Sequence, residues 1–560
     1  MSSSSKESGF LALIERIGNK LPDPIMLFVG ATVLVMALSA IGSWLNWSVE
    51  PVTIRAKTEM VVGADGVSAA QPVVENGRPV LELVKTGATI APRSLLSADG
   101  AYWLIANMVR NFINFAPLGV VLVGVLGIGV AEKFGMFGGA MRWVAGWVPS
   151  RFLTPTVIFL GLLSHVAGDS GYVVLPALAG GLFMLFGRPP IAGIAAAFAG
   201  VAGGFSANIL ISPTDALIAP ITQTGARVLD ANYTVQPTCN YYFLMGSSVL
   251  LTLTGWFVTS RIVEPRCNAI GIDADAKPPE GGLSLSPQES RALRAAGLVF
   301  LACIGGIVAL IAIPGAPLNG VMPAAAPTFG PIPSELAPNG APGVLPRWSQ
   351  AIVPLIFVLF LLPGAVYGRL MGVVKSVSDV SDALVYSMKQ MSSVIVMCFF
   401  AAQFIECFKY SRLDVMVAYT GGELLAAAGL PTPILLTALI VMSTTINLLI
   451  SSMSAKWTFL APVVVPMMMM SGLSPELVQG AYRVGDSCTN VLTPLNAYMV
   501  IILVAAQRFR KDFGLGSVVA LMLPYTLAFL LVWTVMLLLW VWLGIPMGPG
   551  GPLWYTPAAP

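Results

Sequence analysis

The residues best suited to chemistry lie in Ala481–Asn496, AYRVGDSCTNVLTPLN, where Arg483, Asp486, Ser487, Thr489, Asn490, Thr493 and Asn496 crowd into an otherwise apolar region. In hydrocarbon every unsatisfied polar group costs several kcal/mol. An ionised side chain at the centre of a membrane helix costs about 2.5–3.5 kcal/mol on insertion scales. Such a stretch must face protein or a water-filled cavity. Asp486 fits either of two cations: Na⁺, which takes oxygen ligands, or H⁺, if burial raises the carboxyl's proton affinity. Arg483 can grip a substrate carboxylate bidentately; pairing with Asp486 or a neighbouring helix is the alternative. The Asn490 amide can donate to a carboxylate and accept from an amine or a bound cation. Gly485 loosens the helix and Pro494 removes a backbone donor, so the stretch reads as a transmembrane helix broken near the bilayer midplane.

A partner stretch lies in the first half. Ser206-Ala207-Asn208-Ile209-Leu210 followed by Pro213 parallels Cys488-Thr489-Asn490-Val491-Leu492 followed by Pro494. Two matching breaks in two halves point to a transporter binding site, with Asn208 and Asn490 expected across it from each other. Two more polar clusters, SHVAGDSG at Ser164–Gly171 and SSMSAKW at Ser451–Trp457, each sit between short apolar arms. Asp169 and Lys456 fall at equivalent places in them. An ionisable residue inside a membrane marks function by default; an ion pair pinning the hairpins is the plainer role. Asn447 lies just ahead of the second cluster. Trp457 is placed either to stack on an aromatic ligand or simply to pack. His165, the only histidine, reads as a tip residue.

Composition says what must carry these residues. Of 560 residues, 56% are hydrophobic and 10% charged, against about 25% charged in soluble domains, so the chain is a polytopic membrane protein in a lipid bilayer. The net charge of +3 gives no reason to expect nucleic acid. The six cysteines form no CxxC pair, so neither a disulfide framework nor a zinc site is indicated. No cofactor is implied, and the only metal expected is a coupling Na⁺ at Asp169 or Asp486. No Walker loop, no HExxH and no Ser/His arrangement is present, so the chain does not read as an enzyme.

Pro24–Leu45 and Tyr102–Phe134 read as spans, separated by the polar, β-alternating Asn46–Gly100. Leu153–Ala167 and Gly171–Phe186 are about 15 residues each, short of the roughly 20 a crossing needs; 153–186 is therefore a re-entrant hairpin. The first broken helix covers 191–222 and a span covers 241–260. Ser286, with Pro287 and Glu289 behind it, is a helix start leading into the fifth span, Ala295–Ile313. Pro314–Pro346 holds nine prolines and reads as a stiff outer connector. Ile352–Arg369 and Val385–Phe408 are spans, and Lys409–Leu430 reads as interfacial. A second hairpin at 433–470, a second broken helix at 475–507 and a last span at Gly516–Leu543 complete the order. Lysine and arginine gather in alternate loops, which places the N-terminus in the cytoplasm and the C-terminus outside. The expected fold is all-α: nine transmembrane helices plus two re-entrant hairpins, with two broken helices. Inverted repeats at 1–262 and 348–544 flank a connector at 263–347, and 545–560 forms an external tail.

At these residues the chain resembles the AbgT family, the bacterial p-aminobenzoyl-glutamate transporters. GNKLPDPIMLF, FAPLGVVLVGVLGIGVAEKFG, GDSGYVVLPALAG, AAAFAGVAGGFSANIL, NLLISSMSAKW, AYRVGDSCTNVLTPLNAY and IPMGPGGP carry the resemblance from end to end. It implies a homodimeric, bowl-shaped inner-membrane transporter. It also implies cation-coupled movement of p-aminobenzoyl-glutamate, a folate breakdown product, with export of sulfonamide drugs as an added capacity. The family's functional positions fall on Asp169, Asn447, Trp457, Arg483, Asp486 and Asn490. The paired polar-x-Asn pattern is also similar to that of sodium-coupled dicarboxylate transporters, which stand as the alternative on substrate. An ion channel is the alternative on mechanism: it would show unsaturable conductance where a transporter shows saturable flux.

Overall fold

The structure, a computed structural model, describes residues 24–557 apart from 63–67, 76–77, 80, 147–148, 165–169, 274–284, 324–343, 451, 494–495 and 497. Asp169, His165 and Pro494 therefore lie outside the described residues.

The first span is α1, Pro24–Trp44. The polar stretch after it forms antiparallel ribbons: β1 (Val52–Ala56) pairs across the whole stretch with Leu81–Lys85, and Thr58–Val62 pairs with Ser68–Pro72. Next come α2 (Ala98–Ile113), α3 (Ala116–Lys133) and α4 (Met136–Gly146). The first hairpin is α5 (Leu153–Leu163) and α6 (Ser170–Leu185). The first broken helix runs as α7 (Pro190–Phe198), a π-helical stretch at Ala199–Gly203, an irregular segment, and α8 (Pro213–Ala226). It crosses α5 so closely that a Cβ on Gly200 would sit 2.5 Å from the Ile158 carbonyl oxygen, the kind of approach only small residues allow. Helix α9 (Tyr241–Val258) continues through a π stretch into α10 (Glu264–Ile270).

The fifth span, α11 (Pro287–Ala312), starts where the sequence placed it: Ser286 Oγ accepts from Glu289 N, with Pro287 at the first helical position. It buries only Glu289, Ala292 and Ala296, so most of its apolar surface is left uncovered by the rest of the chain. The proline-rich connector is described only at its ends, where Val321–Pro323 pairs with Val344–Pro346. After the short α12 (Arg347–Gln350) come α13 (Ile352–Leu370), α14 (Val377–Gln390), α15 (Ser392–Tyr410) and α16 (Leu413–Ala427). The second hairpin is α17 (Thr432–Asn447) and α18 (Met453–Met470), and the second broken helix is α19 (Pro475–Cys488) and α20 (Met499–Gln507). Helix α21 (Leu515–Trp542) is the last span.

Seven helices among the described residues are long and apolar enough to cross a membrane: α1, α9–α10, α11, α13, α15, α18 and α21. Among the described residues, six of these together with α3 and the two broken helices account for the nine expected segments; α18, which has the length of a crossing, lies in the second hairpin. The inverted repeat shows in exchanged partners. Helix α1 packs on α15 while α3 packs on α13; α18 packs on α8 while α6 packs on α20; α9 and α21 pack on each other.

Several expectations change: Tyr102–Phe134 divides between α2 and α3, and Val385–Phe408 divides between α14 and α15. The second arm of the second hairpin starts at Met453, because Ser452 caps α18 by accepting from Ala455 N; Lys456 and Trp457 thus lie in a helix arm rather than at a tip. Gly485 lies inside continuous α19 and does not break it: a Cβ there would run into the Ile440 carbonyl oxygen of α17, so the glycine admits the hairpin arm. The stretch after Lys409 is not merely interfacial, because α16 buries Leu413, Asp414 and Met416 against the cluster formed by α1 and α15.

Beyond α21 the chain folds back as a strap. Phe243 N donates to Met547 O (3.0 Å), Ser474 N to Leu553 O (3.1 Å) and Tyr555 N to Gly472 O (3.0 Å). Met547, Leu553 and Tyr555 are buried beneath it.

Candidate functional site

Helix α19 is buried along its whole length although Glu476, Gln479, Arg483 and Asp486 lie in it and Asn490 follows. Steps of three and four place these five on one face. Ser474 caps the helix, accepting from Leu477 N, with Pro475 at the first position. Each polar rung then finds partners from other elements, as buried polar groups must.

At the N-terminal end of this face, Tyr233 OH donates to Glu476 Oε2 (2.9 Å) and Asn240 Nδ2 to Glu476 O (2.8 Å). Gln479 Nε2 donates to Asn240 Oδ1 (2.7 Å), and Thr222 Oγ1 to Gln479 Oε1 (2.5 Å). Trp457 Nε1 donates to Thr222 Oγ1 (2.7 Å), and the Trp457 ring stacks on Tyr482 with centroids 4.2 Å apart. The tryptophan is fully buried, with one face already covered.

Two buried ion pairs follow. Lys456 Nζ lies 2.6 Å from Asp486 Oδ1 and also donates to Asn447 Oδ1. Arg483 Nη2 pairs with Asp215 Oδ1 on the first broken helix, not with Asp486. Asp215 is held from its own helix start: Oδ2 accepts from Ser212 N (2.7 Å), Ser212 Oγ (2.8 Å) and Asn208 Nδ2 (3.2 Å). Pro213 stands at the first position of that helix, so it begins the second half of the break. Asn447 Nδ2 lies within 2.5–2.9 Å of Asp486 O, Thr489 Oγ1 and Asn490 Oδ1. The two breaks meet directly where Ser206 N donates to Ser487 Oγ (3.2 Å).

The structure thus brings Asn447, Trp457, Arg483, Asp486 and Asn490 together on or against α19. It places Asn208 beside Arg483's partner carboxylate. Among the described residues, buried side-chain atoms without a hydrogen-bond partner gather here: Ser206 Oγ, Asn208 Oδ1, Arg483 Nε and Nη1, and Asp486 Oδ2. They offer acceptors, donors and a carboxylate oxygen at one junction. No group of three or more His, Cys, Asp or Glu forms among the described residues, so oxygen ligands for a cation would come from these amides, hydroxyls and carboxylates.

Sequence reasoning did not single out Asp215, Ser212, Thr222, Gln479, Glu476 or Tyr482. Two signals were available: the three-and-four spacing from Glu476 to Asn490, and the Ser212–Asp215 capping box.

The description of the AbgT putative transporter family matches residues 9–555. The chain belongs to the AbgT family. One AbgT relative, the p-aminobenzoyl-glutamate transport protein of Escherichia coli (strain K12), is 33% identical over 548 residues, covering 98% of this chain and 97% of the relative. Two solved structures have the same fold. The YdaH transporter of Alcanivorax borkumensis is 38% identical, with a TM-score of 0.78 over 94% of this chain and 100% of that one. MtrF of Neisseria gonorrhoeae, described as illuminating a class of antimetabolite efflux pumps, is 35% identical, with a TM-score of 0.79 over 97% and 100%. This AbgT chain is accordingly a multi-pass membrane transporter and not an enzyme.

Proposed function

We propose that the chain is a cation-coupled secondary transporter of p-aminobenzoyl-glutamate in the bacterial inner membrane, with sulfonamide drugs as a further cargo, working as a homodimer with its N-terminus cytoplasmic and its C-terminus periplasmic. Its repeats, 1–262 and 348–544, would move around the junction of the two broken helices. The observation that carries the reading is the pair of unpartnered, buried guanidinium atoms on Arg483, Nε and Nη1. A substrate carboxylate suits this arrangement, taking one of them together with the second hydrogen of Nη2 as a parallel fork. Asp486, with one oxygen on Lys456 and the other unpartnered, is the coupling carboxylate for Na⁺ or H⁺, and Asn208, Asn447, Asn490 and Trp457 shape the cavity. Asp169 is assigned to the same cation pathway on the family resemblance.

The test is uptake of p-aminobenzoyl-glutamate into proteoliposomes under separately imposed Na⁺ and H⁺ gradients. Saturable accumulation driven by one of them is expected. Competition by succinate instead of p-aminobenzoyl-glutamate would move the assignment to a sodium-coupled dicarboxylate transporter.

A further inference from the structure

We propose that Asp215 is an internal counter-ion which the substrate's carboxylate displaces from Arg483, so that the Arg483–Asp215 pair is a latch between the two broken helices. This rests on the reading of Arg483 as the carboxylate-binding residue and adds the residue that sets its availability.

The geometry points this way for three reasons. First, the pair is one-pronged. Only Arg483 Nη2 meets Asp215 Oδ1, and Nε and Nη1 are buried without partners among the described residues. A guanidinium has five donors in a planar fork, and a permanent tie to a carboxylate uses two of them in parallel. Here most of the fork is left for a second anion. Second, Asp215 cannot follow Arg483. Its Oδ2 accepts from Ser212 N, Ser212 Oγ and Asn208 Nδ2, which anchors it to the start of α8, while Arg483 rides on α19 of the other half. A movement that separates α8 from α19 breaks this contact, and one that carries the two helices together keeps it. Third, the released Asp215 keeps three hydrogen-bond donors, whereas an Arg483 released without a substitute would be a buried bare charge. Substrate supplies the substitute. Release of substrate restores the internal pair, so the empty transporter can cross between its two orientations without an exposed charge.

A structural pin and a latch predict opposite signs. The experiment measures equilibrium binding of p-aminobenzoyl-glutamate and of benzoate to the purified full chain by calorimetry, and exchange in proteoliposomes. With Asp215→Asn, binding of both probes should tighten at least tenfold while exchange slows at least tenfold. Arg483→Gln should lose binding, and the Asp215→Asn, Arg483→Gln double variant should not regain it. The charge swap Asp215→Arg, Arg483→Asp guards against a single variant that does not fold. A pin restored by the swap recovers binding and exchange; a latch does not, because the guanidinium now sits on the wrong helix. Wild-type or weaker affinity in Asp215→Asn, tightening that persists without Arg483, or recovery in the swap each overturns the latch. If the wild type binds benzoate but not p-aminobenzoyl-glutamate, the cargo assignment fails while the benzoate comparison still reads the latch.

Discussion

Two helix starts in this protein have nearly the same sequence and different consequences. Ser212-Pro213-Thr214-Asp215 opens α8, and Ser376-Val377-Ser378-Asp379 opens α14. In both, an extended serine caps the helix and an aspartate three residues on reaches back to it. Ser376 N donates to Asp379 Oδ2 at 2.7 Å, as Ser212 N does to Asp215. Asp379 is exposed, and its remaining donors are local, from Lys375 N and Ser376 Oγ. Asp215 is buried, and its second oxygen meets an arginine 268 residues away in sequence. The capping box fixes where a helix begins; what the carboxylate then does is decided by the element packed over it.

The largest difference should appear on truncation. Asp215→Ala strands Arg483 in the interior, which costs about 3–5 kcal/mol for a buried pair that loses one partner; Asp379→Ala should leave both stability and transport near wild type. Thermal unfolding in detergent with parallel uptake assays measures both, and equal losses would erase the contrast. Asp486→Asn tests the neighbouring pair. It should abolish gradient-driven accumulation while the protein still inserts, and adding Lys456→Gln should recover stability without recovering transport; normal accumulation by the single variant would remove Asp486 from the coupling role. Smaller effects belong to the asparagines. Asn208→Ala takes one donor from Asp215 and Asn490→Ala takes one partner from Asn447. Each should weaken substrate binding by about 1–3 kcal/mol, roughly 5–150-fold, with the double variant non-additive if one ligand spans both breaks. Asp414→Ala is no neutral control for this series, since Asp414 is buried.

The smallest effect is a pH dependence. Backbone N–H groups of Ser376 and Lys375, with the Ser376 hydroxyl, hold the Asp379 carboxyl below its usual 3.8. A depressed carboxylate stabilises the fold above its unfolded value, and the contribution is lost as pH falls through the folded one. The difference in unfolding midpoint between wild type and Asp379→Asn should therefore be present at neutral pH and be lost as pH falls below the range near 4 in which unperturbed aspartates titrate.

Much of the element order was legible from run lengths, in the short arms of the first hairpin and in the long spans, but not everywhere: α18, an arm of the second hairpin, is as long as a crossing. The site residues on α19 were legible because charge in an apolar stretch has few explanations. What stayed hidden was pairing. Nothing local says that Arg483 prefers Asp215 to Asp486, three residues along its own helix. Lys456 and Trp457 looked like tip residues because polar Ser451–Ser454 obscured the cap at Ser452, after which the helix runs on. Asp414 looked interfacial because its neighbours are mixed, yet α16 is packed by α15 and α18.

The strap after α21 has a consequence for how the molecule is made. Ser474, the cap of α19, is covered only when Pro552 and Leu553 arrive: Ser474 Oγ donates to Pro552 O and Ser474 N to Leu553 O. Leu473 bridges Trp554 in the same ribbon, and Met547 closes over Gly480. The helix bearing the charges thus precedes in the chain the segment that closes its N-terminal end, so a chain ending within α21 would leave that end open.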